Sequence, residues 1–300
     1  MAYRRPYGEK HSGVQKRYKN FCQLESKLIL LLCSVNTELE FYYEIHQIRN
    51  ATAIIHYAGK KILIDPMLSA KGSFPGFPLT MNRHLRNPLV DLPLPVSEVI
   101  DVDAIIVTHT HDDHWDAAAR ALIPRDMLIF VQNTEDKNEL ARDGFINLQV
   151  LDNEIEYAGI RLIPTHCQHG SDEAFRNPAA AELLGEAMGV ILQSDGEKTI
   201  YIVGDTIWIN DVEQVMHKYQ PDIVILNTGY AQVENLGPII MGKEDVLRTH
   251  NILPKAHIIS THMESVNHFG QTRKEIREYV DLNKITDQVS IPEDGEVVNL

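Results

Sequence analysis

Short apolar runs separated by polar, turn-forming segments recur along most of this chain. The pattern predicts strands over 53–57, 61–64, 104–107, 127–131, 148–151 and 160–163, then a second group over 189–193, 199–203, 222–226, 257–260 and 288–291. Helical spacing, several times opened by Asp or Thr, predicts helices over 117–122, 135–142, 211–219, 243–250 and 272–283. Tyr57-Ala58-Gly59-Lys60 and Ser194-Asp195-Gly196-Glu197-Lys198 read as hairpin turns, so each strand group contains antiparallel pairs. Two mixed sheets packed as a sandwich with helices outside follow.

Residues 69–95 resist the scheme. Pro75, Pro78, Pro88, Pro93 and Pro95, with Gly72 and Gly76, make a long irregular connection, read either as a lid or specificity loop or as a surface arm without a role.

The chain of 300 residues carries a formal charge of −14, and 44% of it is hydrophobic. That is enough material for a core without disulfides, and the acidity argues against nucleic acid as a main partner. Charge is uneven. Arg4, Arg5, Lys10, Lys16, Arg17, Lys19 and Lys27 against Glu9 and Glu25 give residues 1–27 a net +5, leaving −19 for the rest. The apolar run 28–35 after them is too short for a signal core and lacks an A-x-A site. Residues 1–39 therefore read as a basic extension compatible with disorder, and 40–300 as the folded domain, with no membrane span. Cys22, Cys33 and Cys167 form no C-x-x-C pair, which fits a reducing cytoplasm. A homo-oligomer is compatible with all of this.

The informative chemistry follows the strand at 104–107. In Thr108-His109-Thr110-His111-Asp112-Asp113-His114-Trp115-Asp116, imidazoles and carboxylates crowd a strand-to-helix loop, and these are the ligand types that zinc, iron and manganese accept. His109 and His111 at i and i+2 can face one point, and Asp113 with His114 a second. Candidate ligands also end later strands: His166 and His169, Asp205, and His262. Core packing does not require such a pattern.

The run His109-x-His111-x-Asp113-His114, a later histidine, Gly204-Asp205-Thr206 and then His262 resembles the metallo-β-lactamase superfamily, from about residue 40 to the C-terminus. The resemblance implies an α/β fold, the four-layer αβ/βα sandwich, with two divalent ions at one edge, zinc by expectation, with manganese or iron also accepted. Position by position, it implies His109, His111 and one later histidine on the first metal, Asp113, His114 and His262 on the second, and Asp205 bridging. His169, followed by Gly170, is preferred to His166 as the later histidine, and Cys167 is a bystander. Asp65 is implied behind the metal histidines as an orienting carboxylate, although an Asp before Pro66 also reads as a turn. His268 is either a substrate contact or an exposed helix-start residue. Trp115 and Trp208 are pocket walls or core.

The implied reaction is hydrolysis by hydroxide made at the metals, with Asp113 and Asp205 orienting the nucleophile and relaying its proton. Trp115-Asp116 departs from glyoxalase-type thioesterases, His111 from diiron flavin-partnered oxidoreductases, and Gly204-Asp205-Thr206 from the Cys-bearing true β-lactamases. In style the sequence is similar to relatives of ascorbate-phosphate lactonase and to phospholipase-D-like phosphodiesterases of this fold. The expected substrate is a small anionic ester, lactone or phosphodiester, with Arg83, His84 and Arg86 as candidate anion contacts. The alternatives are an RNA-processing nuclease of the same fold, and a metal-binding relative without catalysis.

Overall fold

The computed structural model describes Met1 and residues 43–300. Met1 apart, the expected basic extension, its boundary with the domain, Cys22, Cys33 and the apolar run 28–35 lie outside the described residues. Strands β1 (Glu44–Arg49), β2 (Thr52–Tyr57) and β3 (Lys60–Ile64) form an antiparallel meander. Ala58 and Gly59 both take positive φ, 49° and 72°, as a two-residue hairpin with a right-handed twist demands. A small ribbon, β4 (Phe74–Pro75) with β5 (Arg86–Asn87), folds within the proline-rich connection. Strands β6 (Ala104–Val107), β7 (Ile129–Val131) and β8 (Leu148–Val150) then continue the first sheet in parallel.

Strands β9 (Ile155–Tyr157), β10 (Ile160–His166) and β11 (Met188–Gln193) open the second sheet antiparallel. It continues through β12 (Ile200–Ile202) and β13 (Ile223–Asn227), and, after the ribbon β14 (Gln232–Val233) and β15 (Gly237–Pro238), through β16 (His257–Thr261) and β17 (Val289–Ser290). Strand β18 (Val297–Asn299) returns to pair with β1, so the chain closes on the first sheet. The run at 160–163, grouped above with the first set of strands, thus belongs to the second sheet. It pairs with β11 from Arg161 to His166 because both strands are long and apolar, whereas β8 ends the first sheet as a half-exposed edge.

Alternation along the strands builds three apolar layers. Ile55, Ile62, Ile106 and Phe130 meet Leu162, Val190, Ile202 and Ile225 between the sheets. The opposite faces are covered by helices. Leu63, Ile105 and Val131 pack under Ala117–Leu122 and Thr134–Arg142, and Tyr201, Val224 and Ile258 under Asn210–Tyr219, Lys243–Ile252 and Arg273–Leu282. Those five helices match the periodicity closely. Two short helices, Asp172–Arg176 and Pro178–Leu184, are additions that the sequence pattern did not predict. No helix among the described residues is long and apolar enough to cross a membrane.

Trp115 is fully buried in the outer layer of the first sheet, its ring 5.4 Å from Phe145, packed as core. Replacing it with alanine should cost about 3–5 kcal/mol, the usual toll for emptying an aromatic site in a core. Thermal and denaturant unfolding of the variant would measure that loss.

Candidate metal centre

The constellation is delivered from the ends of five strands, with His109, His111, Asp113 and His114 sharing one loop. Asp65 follows β3, His109 follows β6, His169 follows β10, Asp205 follows β12 and His262 follows β16. All are buried, and they meet at one edge of the sandwich. Local backbone makes the convergence possible. The His111 carbonyl accepts from the His114 and Trp115 amides at 2.9 and 2.8 Å, which turns His114 back toward His109. Asp116 then caps the following helix through the Ala119 amide at 2.8 Å and takes the Ser69 amide at 2.7 Å. Gly204 holds φ +75°, and a Cβ there would run into the Met188 carbonyl, so only glycine delivers Asp205 at this point. Asp65 and His262 take left-handed φ of 44° and 61°, strain of the kind that collects at functional sites.

Three sets of donors fall within 4.8 Å of one another: His109, His111 and His169; His109, His114 and Asp205; and Asp113, His114 and His262. His109 Nε2 lies 3.0 Å from His111 Nδ1, and His114 Nε2 lies 3.0 Å from His262 Nε2. Asp205 Oδ2 is 3.2 Å from His114 and 3.5 Å from His262, and Asp113 Oδ2 is 3.3 Å from His262. Asp205 therefore stands beside members of all three sets.

The outer hydrogen bonds fix which nitrogen of each ring is free. His114 Nδ1 donates to Asp65 Oδ2 at 2.8 Å, His111 Nε2 donates to the Leu183 carbonyl at 3.1 Å, and His169 Nδ1 donates to the Ile239 carbonyl at 3.0 Å. Thr108 gives its hydroxyl hydrogen to Asp65 Oδ2 at 2.7 Å, so its oxygen accepts from His109 Nδ1 at 3.1 Å. Each of these imidazoles keeps one lone pair unspent, the arrangement that ligating histidines require.

Electrostatics point the same way. Burial lowers His109, His111 and His169, the last to about 4, so they are neutral at pH 7. Burial opposes charge on Asp113 and Asp205 as well, yet His114 and His262 outweigh it and hold both carboxylates well below their usual range. Reciprocally, burial works against the charged forms of His114 and His262, but Asp205 and its carboxylate neighbours raise both. Positive charge is favoured between those groups. Neutral imidazoles plus ionised carboxylates fit Zn, Mn or Fe, so the residues suit a metal.

His166 is exposed and opens with Trp208 onto a different cavity, so the structure brings His169, not His166, to the cluster. Trp208 is thus no wall of this site. Cys167 is buried with its Sγ donating to the Val203 carbonyl at 3.1 Å, and burial raises its thiol. Two asparagines escaped the sequence reading. Asn50 Nδ2 reaches the Asp113 carbonyl at 3.2 Å, and Asn227 Nδ2 donates to Asp205 Oδ1 at 2.6 Å, which leaves Oδ2 turned to the histidines. A polar residue at a strand end was their only signal, and turns supply the same signal.

A cavity of about 450 Å³ ends on the cluster. Much of its side wall is apolar, with Phe77 and Pro78 from the proline-rich loop, Leu183 and Leu184 from the short helix Pro178–Leu184, and Val233 and Ile239 around the β14–β15 ribbon, while Thr80, Thr110, Asp112, Arg120 and Glu139 complete it. The loop is therefore a wall of the site. Asn267 ties it down, accepting from the Phe77 amide and Asn87 Nδ2 at 2.8 and 2.9 Å and donating to Thr80 Oγ1 at 2.8 Å. Arg83 and His84 are exposed and do not line the cavity, and Arg86 binds the Gly72 and Ser73 carbonyls instead. The expected anion contacts are absent from it.

The sequence model of the beta-lactamase superfamily domain matches residues 60–263. Among curated relatives, the UPF0173 protein YddR of Bacillus subtilis is 42% identical over 253 residues, 84% of this chain and 98% of YddR. The chain belongs to the metallo-β-lactamase superfamily and, within it, to the UPF0173 metal-dependent hydrolases. Two crystal structures are close to it in sequence. An isothiocyanate hydrolase from Delia radicum gut bacteria is 48% identical, with a TM-score of 0.83 over 85% of this chain and 98% of that one. A possible metal-dependent hydrolase from Veillonella parvula is 43% identical, with a TM-score of 0.85 over 86% of this chain and 100% of that one.

Proposed function

We propose that this chain is a dinuclear hydrolase acting on a small uncharged electrophile with an apolar substituent, and that isothiocyanates are its substrate class. The observation that carries the reading is the cavity: a largely apolar wall leads to the His/Asp cluster, and Arg120, the one Lys or Arg lining it among the described residues, is already paired. Glu139 lies 2.5 Å and Asp143 2.6 Å from its guanidinium. Away from the metal ligands the cavity therefore offers no unpaired Lys or Arg among the described residues to hold an anionic group, and its apolar surface suits a neutral substituent better than the anionic one that the sequence suggests. The 48% identical isothiocyanate hydrolase supports the choice of electrophile.

His109, His111 and His169 would hold one ion, Asp113, His114 and His262 the other, with Asp205 between them. Two such ions, when bound, supply hydroxide at neutral pH and positive charge beside the reacting carbon. The chain does the rest. Asp113 and Asp205 orient the attacking oxygen and take up its proton, while the apolar walls seat the substituent and exclude bulk water. Overall R–N=C=S and one water give R–NH2 and O=C=S: the water oxygen ends on carbon, both its hydrogens end on nitrogen, the C–N bond breaks, and nothing is oxidised or reduced.

The test is turnover of phenethyl isothiocyanate, a lactone and a phosphodiester by the purified protein, with bound metal counted. Amine and carbonyl sulfide should appear from the isothiocyanate, stop with a chelator and return with Zn or Mn. Faster hydrolysis of the phosphodiester, or no isothiocyanate turnover by the metal-loaded protein, overturns the assignment.

A further inference from the structure

His268 belongs to none of the three donor sets, yet it lines the cavity and is only 6% exposed. Its ring stands edge-on to Phe77, centroids 4.9 Å apart at 77°, and 6.3 Å from the His262 ring. Neither ring nitrogen has a hydrogen-bond partner among the described residues. Nδ1 is sealed from solvent without one, and Nε2 is 3.9 Å from its nearest carboxylate oxygen, Asp113 Oδ2, too far for a bond. Nε2, unlike the sealed Nδ1, is therefore the nitrogen that a molecule entering the cavity can meet, and leaving a buried polar atom unpaired costs roughly 1–3 kcal/mol. The neighbouring Asn267 fixes the same loop that carries Phe77, so the ring is held in place from both sides.

We infer that His268 is a catalytic residue that donates a hydrogen bond from its ring N–H to the substrate nitrogen. Negative charge develops on that nitrogen as oxygen adds to the central carbon and the C=N bond opens. A donor fixed beside it stabilises the transition state more than the ground state. The inference rests on the isothiocyanate reading.

The experiment uses a series of para-substituted phenyl isothiocyanates with wild type, His268→Phe, His268→Leu and His268→Gln, alongside metal content and melting temperature. The Phe and Leu variants keep the metal and the fold, lose about 10²-fold in kcat, and respond more steeply than wild type to electron-withdrawing substituents, because the aryl group must then carry the charge alone. Gln, which retains a donor, restores the shallow dependence. Equal slopes in wild type and the donorless variants overturn the role of His268 and leave the substrate class standing. Metal loss from both donorless variants places His268 in the metal cluster and overturns it likewise. A wild type inactive on the whole series overturns the substrate class and this inference together.

Discussion

Asp205→Ala should abolish turnover while the fold survives. Asn227 fixes Oδ1 at 2.6 Å, so Oδ2 has one direction to face, and it faces His114 at 3.2 Å and His262 at 3.5 Å. His169 stands on its other side, Nδ1 3.9 Å away. No other carboxylate among the described residues stands between the two halves of the cluster in this way. Without it the halves become separate binding points, and mutual repulsion among imidazoles is no longer offset. Activity should fall by at least about 10²–10³-fold, the loss that follows when a preorganised charge is removed from a buried site. Bound metal should fall from two ions toward one, measured by elemental analysis of the purified variant. Unchanged turnover with two ions still bound would show that Asp205 bridges nothing. Asp205→Asn separates charge from shape, since it keeps an oxygen near the same place and should still fail.

Asp205 and His109 were legible in the sequence for the same reason: each follows an apolar run directly, and residue type plus strand end is a pattern that core packing does not produce. The choice between His166 and His169 was readable only in part. β10 extends through His166 and alternates buried with exposed positions, so Thr165 points inward and His166 outward, while His169 lies beyond the strand where the loop can turn it inward. The run at 160–163 carries no mark of the sheet it joins, because an apolar strand does not announce its partner. Register depends on which strand folds back against it, and β11 lies more than twenty residues downstream. The helices Asp172–Arg176 and Pro178–Leu184 were missed because they are short and broken by Asn177-Pro178, so no helical period accumulates. That omission hid part of the site, since Leu183 receives the His111 hydrogen bond and, with Leu184, walls the cavity. The apolar character of that wall, on which the proposed neutral substrate rests, is a property of three distant segments meeting and has no local signature.

Asp65→Ala should fail differently. Asp65 touches no proposed metal position, but its Oδ1 takes the Thr108 amide at 2.7 Å, and its Oδ2 takes the Thr108 hydroxyl at 2.7 Å and His114 Nδ1 at 2.8 Å. It thereby holds His114 directly and His109 through Thr108, one residue from each half of the cluster. Alanine frees both rings to rotate and lets His114 place its proton on either nitrogen. Loss of such an orienting carboxylate typically weakens metal binding about 10–100-fold. The expected phenotype is thus weak metal binding with chemistry intact. A chelator competition should show lowered affinity, and excess Zn or Mn should recover most of kcat. Excess metal should not rescue Asp205→Ala, because there a ligand is missing and not merely misaligned. If added metal restores both variants equally, or neither, the distinction between holding the ions and aiming the histidines is wrong, and Asp65 acts on the reaction by some other route.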